Sequence, residues 1–311
     1  MEVLLPKYHL TEFFKRNNSS FDNYGLAVEK YGRNNDAKLE YLESDDNRGR
    51  SGKNLFHTPN SEAQNLCGKI QKKQTGIIEQ LKQQHKTTGS LELQQNWRMA
   101  VGMGNVSVYN NGFTLHPIYG IPYIPAQAVK GILRNYIIQK FFSIESIESK
   151  ELDKVGKKME EEAMQDQLFC LLFGSTEKSY NKKAHKSIID FMDVFPVDSF
   201  TMVPDIMNPH YGDYYSDKNN NILPTDDLNP SPIIFLTVKD TAFKFNFYFN
   251  AKNESKCNNY RSSKIIHNSH FEKKNTFSIV ELIEYFLKEA LEINGVGAKT
   301  NVGYGRLTLK K

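Results

Sequence analysis

The sequence predicts an α+β fold: a ferredoxin-like, split βαβ core with insertions and an N-terminal extension. Phe243, Phe245, Phe247 and Phe249 alternate with more polar residues, which is the period of a half-buried strand. Two segments carry apolar residues at helical spacing, one over 126–142 and one that follows a capping box at Ser278. With the remaining strands, the chain order is β, α, several β, α, β, as in the split βαβ core.

The composition is that of a chain long enough to bury a large core. It gives little indication of a metal site or of a membrane-spanning segment. The chain has 311 residues, 12% of them aromatic, and a net charge of +4. Cys67, Cys170 and Cys257 lie far apart and form no C-x-x-C pair, so we predict neither a zinc site nor a disulfide framework. The first residues lack an apolar leader, and no run of about 18 apolar residues occurs, which favours a cytoplasmic protein without membrane contact.

The pattern divides the chain into an extension over residues 1–90 and one domain over residues 91–311. Residues 15–65 are rich in Asn, Ser, Asp, Arg and Lys and show no sustained apolar period, which indicates a flexible segment. An intermittent apolar stripe over 61–85 predicts a helix within the extension. Closely spaced helices and strands are predicted from Leu91 onward.

The elements predicted within the domain follow the apolar pattern in chain order. The helix-prone segments lie at 126–142, 143–162, 167–173 and after Ser278. The predicted strands lie at 91–101, 187–193, 195–203, 233–238, 242–250 and 306–309, with a hairpin turn at Tyr109–Gly112. A loop of more than 20 residues is predicted from Asp205 to Ser231, and loops of that length are usually functional or disordered.

The run from Gly295 to Gly305, G-V-G-A-K-T-N-V-G-Y-G, is the most informative motif. It places four glycines around Lys299, and Arg306 follows directly. Glycine lacks Cβ and accepts positive φ, so such a loop can turn backbone N–H groups toward an anion. Dinucleotide and P-loop sites are excluded, because there the glycines follow a strand and open a helix. A glycine C-cap followed by a loose turn is the alternative interpretation.

A second motif opens the first crossover helix, where residues 119–134 read Y-G-I-P-Y-I-P-A-Q-A-V-K-G-I-L-R. Lys130 and Arg134 are four residues apart and therefore share a helical face near its N-terminus. Two cations on one face suit a polyanion, whereas solvated charges on a core helix are the alternative. In the split βαβ core, this helix start and the glycine loop can lie at neighbouring sheet positions and form one groove.

These two motifs resemble the signatures of the RAMP superfamily, the repeat-associated RNA-binding proteins of CRISPR effectors, and they stand in the expected order. Two further segments, D-F-M-D-V-F-P at 190–196 and D-I-M-N-P-H-Y-G-D-Y-Y at 205–215, are similar to the family of the sixth subunit of type III-B (Cmr) effectors. The resemblance covers roughly residues 91–311. Ala126 stands where the family commonly has glycine.

The resemblance implies an RRM-like, non-catalytic RNA-binding subunit that holds the 3′ region of the CRISPR guide RNA and caps a filament of related subunits in antiviral defence. The partners it implies are guide RNA, target RNA and the other Cmr subunits, with no cofactor, metal or membrane. The RNA-binding residues it implies are Lys130, Arg134, Gly295, Gly297, Lys299, Gly303, Gly305 and Arg306. The residues expected to stack on bases or dock a subunit are His210, Tyr211, Tyr214 and Tyr215, unless they pack on one another.

Catalysis is the competing class of function. In the subunits that cut target RNA, the resemblance leads us to expect an acidic residue in the loop after the first strand. Here that loop, Gly102–Val108, has neither Asp nor Glu, so a metal-assisted cut is not predicted. A metal-independent guide-processing ribonuclease would need a histidine such as His116 or His210, and the Leu-His-Pro context of His116 favours a structural role.

Two further alternatives are a magnesium site formed by aspartates and a purely structural function. Asp190, Asp193 and Asp205 are spread over a strand and a loop, which favours contacts with backbone groups or lysines over magnesium binding. A protein-only assembly subunit is the third possible function. Salt-sensitive RNA binding would separate it from an RNA-binding subunit.

Overall fold

The computed structural model describes residues 34–35, 38–39, 61–104, 112–143, 152–217, 223, 225, 233–252 and 260–309. Three predictions fall wholly or largely outside the described residues. They are the flexible segment before residue 61, the hairpin turn at 109–112 and the later half of the loop predicted over 205–231. Within the described ranges, the short strands Asn34–Asn35 and Lys38–Leu39 pair antiparallel with each other.

Helices and strands alternate along the described part of the chain. The helices are α1 (Ser61–Gln83), α2 (Ala126–Phe141), α3 (Leu152–Ala163), α4 (Gln167–Phe173), α5 (Gly212–Ser216), α6 (Lys264–His267) and α7 (Ile279–Ile293). The strands are β1 (Lys86–Gln95), β2 (Arg98–Met99), β3 (Ile189–Phe191), β4 (Phe195–Pro196), β5 (Thr201–Met207), β6 (Ile233–Lys239), β7 (Ala242–Lys252) and β8 (Leu307–Leu309).

The main sheet has the strand order β8-β1-β7-β3, with β4 also paired to β7, and every pairing is antiparallel. Counting β1, β3, β7 and β8 as core strands one to four, this order reads 4-1-3-2. Helix α2 connects the first core strand to the second, and helix α7 connects the third to the fourth. This is the split βαβ arrangement, so the predicted ferredoxin-like core is confirmed.

The alternating phenylalanines of β7 form the centre of the core. Phe243, Phe245, Phe247 and Phe249 are at most 1% exposed, because the crossover helices cover their face of the sheet. Gly89 of β1 lies opposite Phe247, and a Cβ atom at Gly89 would come within 2.1 Å of the Phe247 ring. This glycine therefore makes room for a phenylalanine side chain.

Helix α1 covers the opposite face of the main sheet. Asn246 alternates with the buried phenylalanines of β7 and so points away from them, yet it is buried. Its amide Nδ2 donates to Gln74 Oε1 at 3.1 Å, and Gln74 Nε2 donates to the carbonyl of Asp193 at 2.6 Å. Gln71 Nε2 donates to both carbonyls of β4. The helix predicted in the extension therefore packs on the protein through these polar contacts and through Ala63, Cys67 and Ile70, which are buried in the hydrophobic core.

A second sheet, with the order β2-β6-β5, begins where the chain bends after β1. The single strand predicted over 91–101 is wrong at this bend, because the chain leaves the main sheet at Gln95 and enters the second sheet at Arg98. The loop predicted to start at Asp205 also starts later. Residues Asp205 to Met207 still pair with β6, and the short helix α5 follows them.

Candidate nucleic-acid interface

Helix α7 delivers the glycine-rich loop to one end of the main sheet. The predicted capping box is confirmed: Ser278 Oγ accepts the N–H of Glu281, whose carboxylate accepts the N–H of Ser278. The helix ends at Ile293, the loop spans residues 295–305, and β8 then returns along the edge of the sheet. The loop is therefore fixed at both ends by regular structure.

Backbone hydrogen bonds hold this loop against the segment between the two sheets. The N–H of Gly305 donates to the carbonyl of Arg98 at 2.7 Å, and the N–H of Ala298 donates to the carbonyl of Ala100 at 2.8 Å. All four loop glycines have positive φ, and Lys299 adopts the left-handed conformation with φ of 59°. The loop is thus a defined structure in which several donors are already bonded within the protein.

The glycines of the loop serve different purposes. A Cβ atom at Gly305 would lie 1.8 Å from a backbone carbonyl oxygen, and one at Gly297 would lie 2.3 Å from another. At Gly295 the closest approach would be 3.1 Å. At Gly303, no described atom lies within 4 Å of such a Cβ. Close packing therefore accounts for three of the glycines, whereas the backbone at Gly303 faces open space.

One cation of the predicted set, Lys299, lies within the loop, and another, Arg306, follows it directly. Lys299 Nζ lies 5.5 Å from the centre of the Phe235 ring, a distance that permits a cation–π contact. Arg306 opens the return to β8, and its carbonyl accepts the N–H of Asn96 at 3.0 Å. The structure therefore brings Lys299 and Arg306 together with the four glycines at one end of the sheet.

An aromatic and charged cluster borders the loop, and we call its members Trp97, Arg98, Asp205 and Tyr304 the Trp97 cluster. The rings of Trp97 and Tyr304 lie 4.6 Å apart. The Tyr304 hydroxyl donates to Asp205 Oδ2 at 2.6 Å, and Arg98 Nη1 pairs with the same oxygen at 2.8 Å. Burial, together with the hydrogen bond to Asp205, raises the pKa of Tyr304 to about 12, so its hydroxyl stays a donor at neutral pH.

Lys130 is partly buried and contacts other parts of the protein. Its Nζ atom donates to Ser187 Oγ at 2.6 Å and to the carbonyl of Ile189 at 3.0 Å. Burial lowers the pKa of Lys130, and the nearby charge of Asp190 opposes that shift. These bonds join α2 to β3 and use two of the three ammonium donors.

Arg134 lies one turn further along α2 and also contacts protein groups. Its Nη2 atom pairs with Glu160 at 2.5 Å, and its guanidinium lies 5.3 Å from the centre of the Phe169 ring. Helix α2 lies beside the β3 edge of the main sheet, whereas the glycine loop lies beside the β8 edge. A groove that included both motifs would have to cross the ends of β1 and β7.

The predicted aromatic residues follow β5 and surround the short helix α5. The rings of Tyr214 and Tyr215 lie 5.3 Å apart in an edge-to-face arrangement, and Tyr215 is 78% exposed. His210 is exposed, and its ring lies 6.5 Å from that of Tyr211. The N–H of Tyr215 donates to the carbonyl of Tyr211, which closes the helical turn. The aromatic surfaces are therefore accessible for a partner.

His116 is half-buried and packs within an aromatic cluster. Its ring stacks on Tyr119 at 4.5 Å and lies 5.1 Å from Tyr123 and 5.4 Å from Phe195. Its Nδ1 atom accepts the backbone N–H groups of Ile118 and Tyr119, each at 3.2 Å. Burial lowers the pKa of His116 below its ordinary value of 6.5, and the charge of Asp193 only partly opposes the shift. The imidazole is therefore neutral at neutral pH.

This burial predicts a pH dependence of stability. Because the folded state lowers the pKa of His116, the unfolded chain takes up the proton first, and stability is lost as pH falls below 6.5. We expect the unfolding free energy of wild type to fall more steeply than that of His116→Gln between about pH 7 and about pH 5. Urea denaturation at several pH values measures both slopes. Equal slopes would contradict a half-buried imidazole with a lowered pKa.

The three aspartates of the acidic set each contact protein groups. Asp193 Oδ1 accepts the N–H of Ala126 at 2.8 Å and so caps the start of α2, which lacks a capping side chain of its own. Asp190 accepts a hydrogen bond from Asn250, and Asp205 belongs to the Trp97 cluster. Within the described ranges, no group of three or more His, Cys, Asp or Glu side chains is placed to hold a metal ion. Nor is any described helix long and apolar enough to cross a membrane.

Sequence reasoning missed Trp97 and Arg98. The alternation of Leu91, Leu93 and Trp97 assigned the tryptophan to a strand, but β1 ends at Gln95, and Trp97 is 47% exposed in the bend that follows. A usable signal existed in the composition. Trp97 is the single tryptophan of the chain and is followed directly by an arginine.

Comparisons with known proteins agree with this fold and with the motifs. The CRISPR system Cmr subunit Cmr6 of Pyrococcus furiosus is 29% identical over 261 residues, which cover 72% of this chain and 68% of that protein. Cmr6 of Saccharolobus solfataricus is 27% identical over 194 residues, 60% of this chain and 55% of that protein. The resemblance to the sixth Cmr subunit is confirmed by these relatives.

A solved structure and a family profile extend the comparison. A chain in the cryo-EM structure of the type III-B Cmr-beta complex bound to cognate target RNA shares the fold, with a TM-score of 0.51 and 24% identity. That match covers 83% of this chain and 69% of the other. A sequence profile of the RAMP superfamily matches residues 96–308. Because this match includes both crossover helices and the glycine-rich loop, the chain belongs to the RAMP superfamily.

Proposed function

We propose that this chain is a non-catalytic RNA-binding subunit of a type III-B CRISPR effector, which binds the 3′ region of the guide RNA and caps the backbone filament. Its curated relatives in two organisms are named subunits of CRISPR Cmr systems, and this supports assembly with other Cmr subunits and with guide and target RNA. The proposal implies a cytoplasmic protein that acts in antiviral defence.

The observation that carries the RNA-binding part is the composition of the loop at the end of the main sheet. The backbone at Gly303 is open, and the cations Lys299 and Arg306 lie within a few residues of it. A polyanion can therefore approach the backbone closely while its charge is neutralised. Guide sequences vary, so a subunit that holds them must contact phosphates and stack on bases instead of reading base edges.

The aromatic residues around α5 supply a second surface. We assign His210, Tyr211, Tyr214 and Tyr215 to base stacking or to docking of a neighbouring subunit, because their rings are accessible at the end of a strand pair. Lys130 and Arg134 stay in the proposed interface as contributors of positive potential. Their hydrogen bonds to protein groups leave them less free to follow a phosphate than Lys299.

The surroundings of His116 support a role without catalysis. A general base must reach the proton that it removes, but Nδ1 of His116 already accepts two backbone N–H groups, and its ring lies among three aromatic side chains. The alternative functions are a metal-independent guide-processing ribonuclease and a protein-only assembly subunit. Each predicts a different outcome in the experiment below.

The proposal is tested by titrating labelled single-stranded RNA with the purified protein at several salt concentrations. Lys299→Ala should weaken binding similarly for unrelated sequences and lower the slope of log K against log salt by about 0.7, as release of one phosphate contact requires. Lys157→Ala is the matched control, because Lys157 is exposed on α3 and pairs only weakly with Glu161 at 3.9 Å. The control should bind RNA with the wild-type slope.

The same samples distinguish the alternatives. A specific cut of guide RNA in the presence of chelator, lost in His116→Ala or His210→Ala, would establish the ribonuclease instead. If the wild-type protein bound no RNA at any salt concentration but still assembled with other Cmr subunits, the protein-only assembly function would be supported instead. Sequencing the RNA that co-purifies with tagged protein should recover repeat-derived guides.

A further inference from the structure

The side chain of Trp97 is placed as an accessible aromatic surface at the edge of the glycine-rich loop. It is 47% exposed, although a large aromatic side chain of this kind normally contributes to a core. One face of the indole lies near Tyr304, which stands in sequence between the open Gly303 and the tightly packed Gly305. The exposed part of the ring therefore adjoins the loop segment where the backbone is most open.

A series of contacts fixes the position of this ring. Tyr304, against which Trp97 packs, is buried and is anchored by its hydroxyl to Asp205 at 2.6 Å. Asp205 is in turn held by Arg98, whose guanidinium also lies 5.8 Å from the centre of the Trp97 ring. A side chain supported in this way loses little conformational entropy when another planar group stacks on it.

The charges around Trp97 favour an anionic partner. Arg98 is the neighbour of Trp97 in sequence, Lys239 lies opposite Arg98 in the second sheet, and Arg306 lies opposite Asn96. The carboxylate of Asp205 is already shared by Arg98 and Tyr304. Asp240 also pairs with Lys239 at 3.3 Å, so the two carboxylates offset two of these three cations and an excess of one positive charge remains at this surface.

We propose that the Trp97 indole is a stacking platform for one unpaired base of a bound RNA strand, whose adjacent phosphates lie along Lys299 and the open backbone at Gly303. Base–aromatic stacking beside cations is the usual way in which proteins hold single-stranded RNA without reading its sequence. An acidic protein segment would satisfy the charges but gains nothing specific from an exposed indole. This inference rests on the proposed RNA-binding function and specifies where a base is held.

The experiment uses the intrinsic fluorescence of the wild-type protein, because Trp97 is the only tryptophan in the chain. Titration with single-stranded RNA should quench or shift the Trp97 emission, with the same midpoint as the anisotropy of labelled RNA. Inorganic polyphosphate is the matched polyanion without bases. It should compete for binding but leave the emission largely unchanged, because it has nothing to stack.

Variants separate stacking from charge. Trp97→Ala should weaken RNA binding by roughly 5- to 150-fold with an unchanged salt slope, and Trp97→Phe should restore most of the affinity. Tyr180→Ala is the control for loss of an exposed aromatic ring, since Tyr180 lies on the loop after α4 and is half exposed. It should bind RNA as wild type does. Melting temperatures of all variants verify that they are folded.

Four results would overturn the inference, and they differ in what they leave standing. RNA that binds with unchanged Trp97 emission, or Trp97→Ala that binds as tightly as wild type, would refute the platform while the proposed function stands. Emission that responds to other Cmr subunits but not to RNA would make Trp97 a protein contact. Absence of any RNA binding by wild type would refute the platform and the proposed function together.

Discussion

Gly305→Ala should lower the unfolding free energy by about 2–5 kcal/mol. The residue has φ of 66°, and its Cβ would lie 1.8 Å from the carbonyl oxygen of Val296. Left-handed backbone costs an alanine roughly 1–2 kcal/mol, and forcing an atom into a packed site costs about 1–3 kcal/mol more. Urea denaturation of wild type and variant measures the difference.

Gly303→Ala is the matched control for this substitution. Its φ of 98° imposes backbone strain, but no described atom lies within 4 Å of the added Cβ. Only the strain remains, so we expect a loss of roughly 1–2 kcal/mol. If the two variants were equally stable, the close approach of Gly305 to Val296 would not be a determinant of the loop.

The second large effect is expected at Asp166, which ties two helices together. Its Oδ1 atom accepts from the N–H of Phe169 at 3.0 Å and from Ser263 Oγ at 2.8 Å, and Oδ2 accepts from the N–H of Lys264 at 2.9 Å. Asp166→Ala would remove the cap of α4 and leave buried donors without an acceptor. Loss of the cap and of these bonds should cost about 3–5 kcal/mol in unfolding free energy.

Asp166→Asn provides the comparison, because one side-chain oxygen remains able to accept. That variant should lose less than half as much stability as Asp166→Ala in the same denaturation experiment. Asp198→Ala, at an exposed position, should be close to neutral. A neutral Asp166→Ala would show that water replaces the carboxylate at both helix starts.

Much of the fold could be predicted because its signals are local. The alternation of four phenylalanines identified β7, and the capping box at Ser278 identified the start of α7 to the residue. Chain order then selected the split βαβ core, since few topologies accommodate two crossover helices between antiparallel strands. Strand ends were predicted less well, because the bend after Gln95 depends on pairing with a second sheet that is remote in sequence.

In the candidate site, too, contacts between residues close in sequence could be predicted, whereas contacts between distant segments could not. The glycine loop and its lysine are contiguous in sequence, so their proximity needed no tertiary information. The partners of Lys130, by contrast, are 57 and 59 residues away, and no local pattern indicates that its ammonium bonds to Ser187 and Ile189. The Trp97 cluster joins residues from the bend before β2, from β2, from β5 and from the loop before β8, and sequence spacing cannot show that these segments meet.

Because α1 packs on the polar face of the sheet, the folded unit begins further upstream than the region that matches the superfamily. The superfamily match begins at residue 96, yet the buried amide of Asn246 depends on Gln74, a residue upstream of that match. A recombinant fragment cut at residue 91 would lack this helix and the first residues of β1, and Asn246 would lose its partner. Expression of the domain for biochemistry should therefore begin upstream of Ser61.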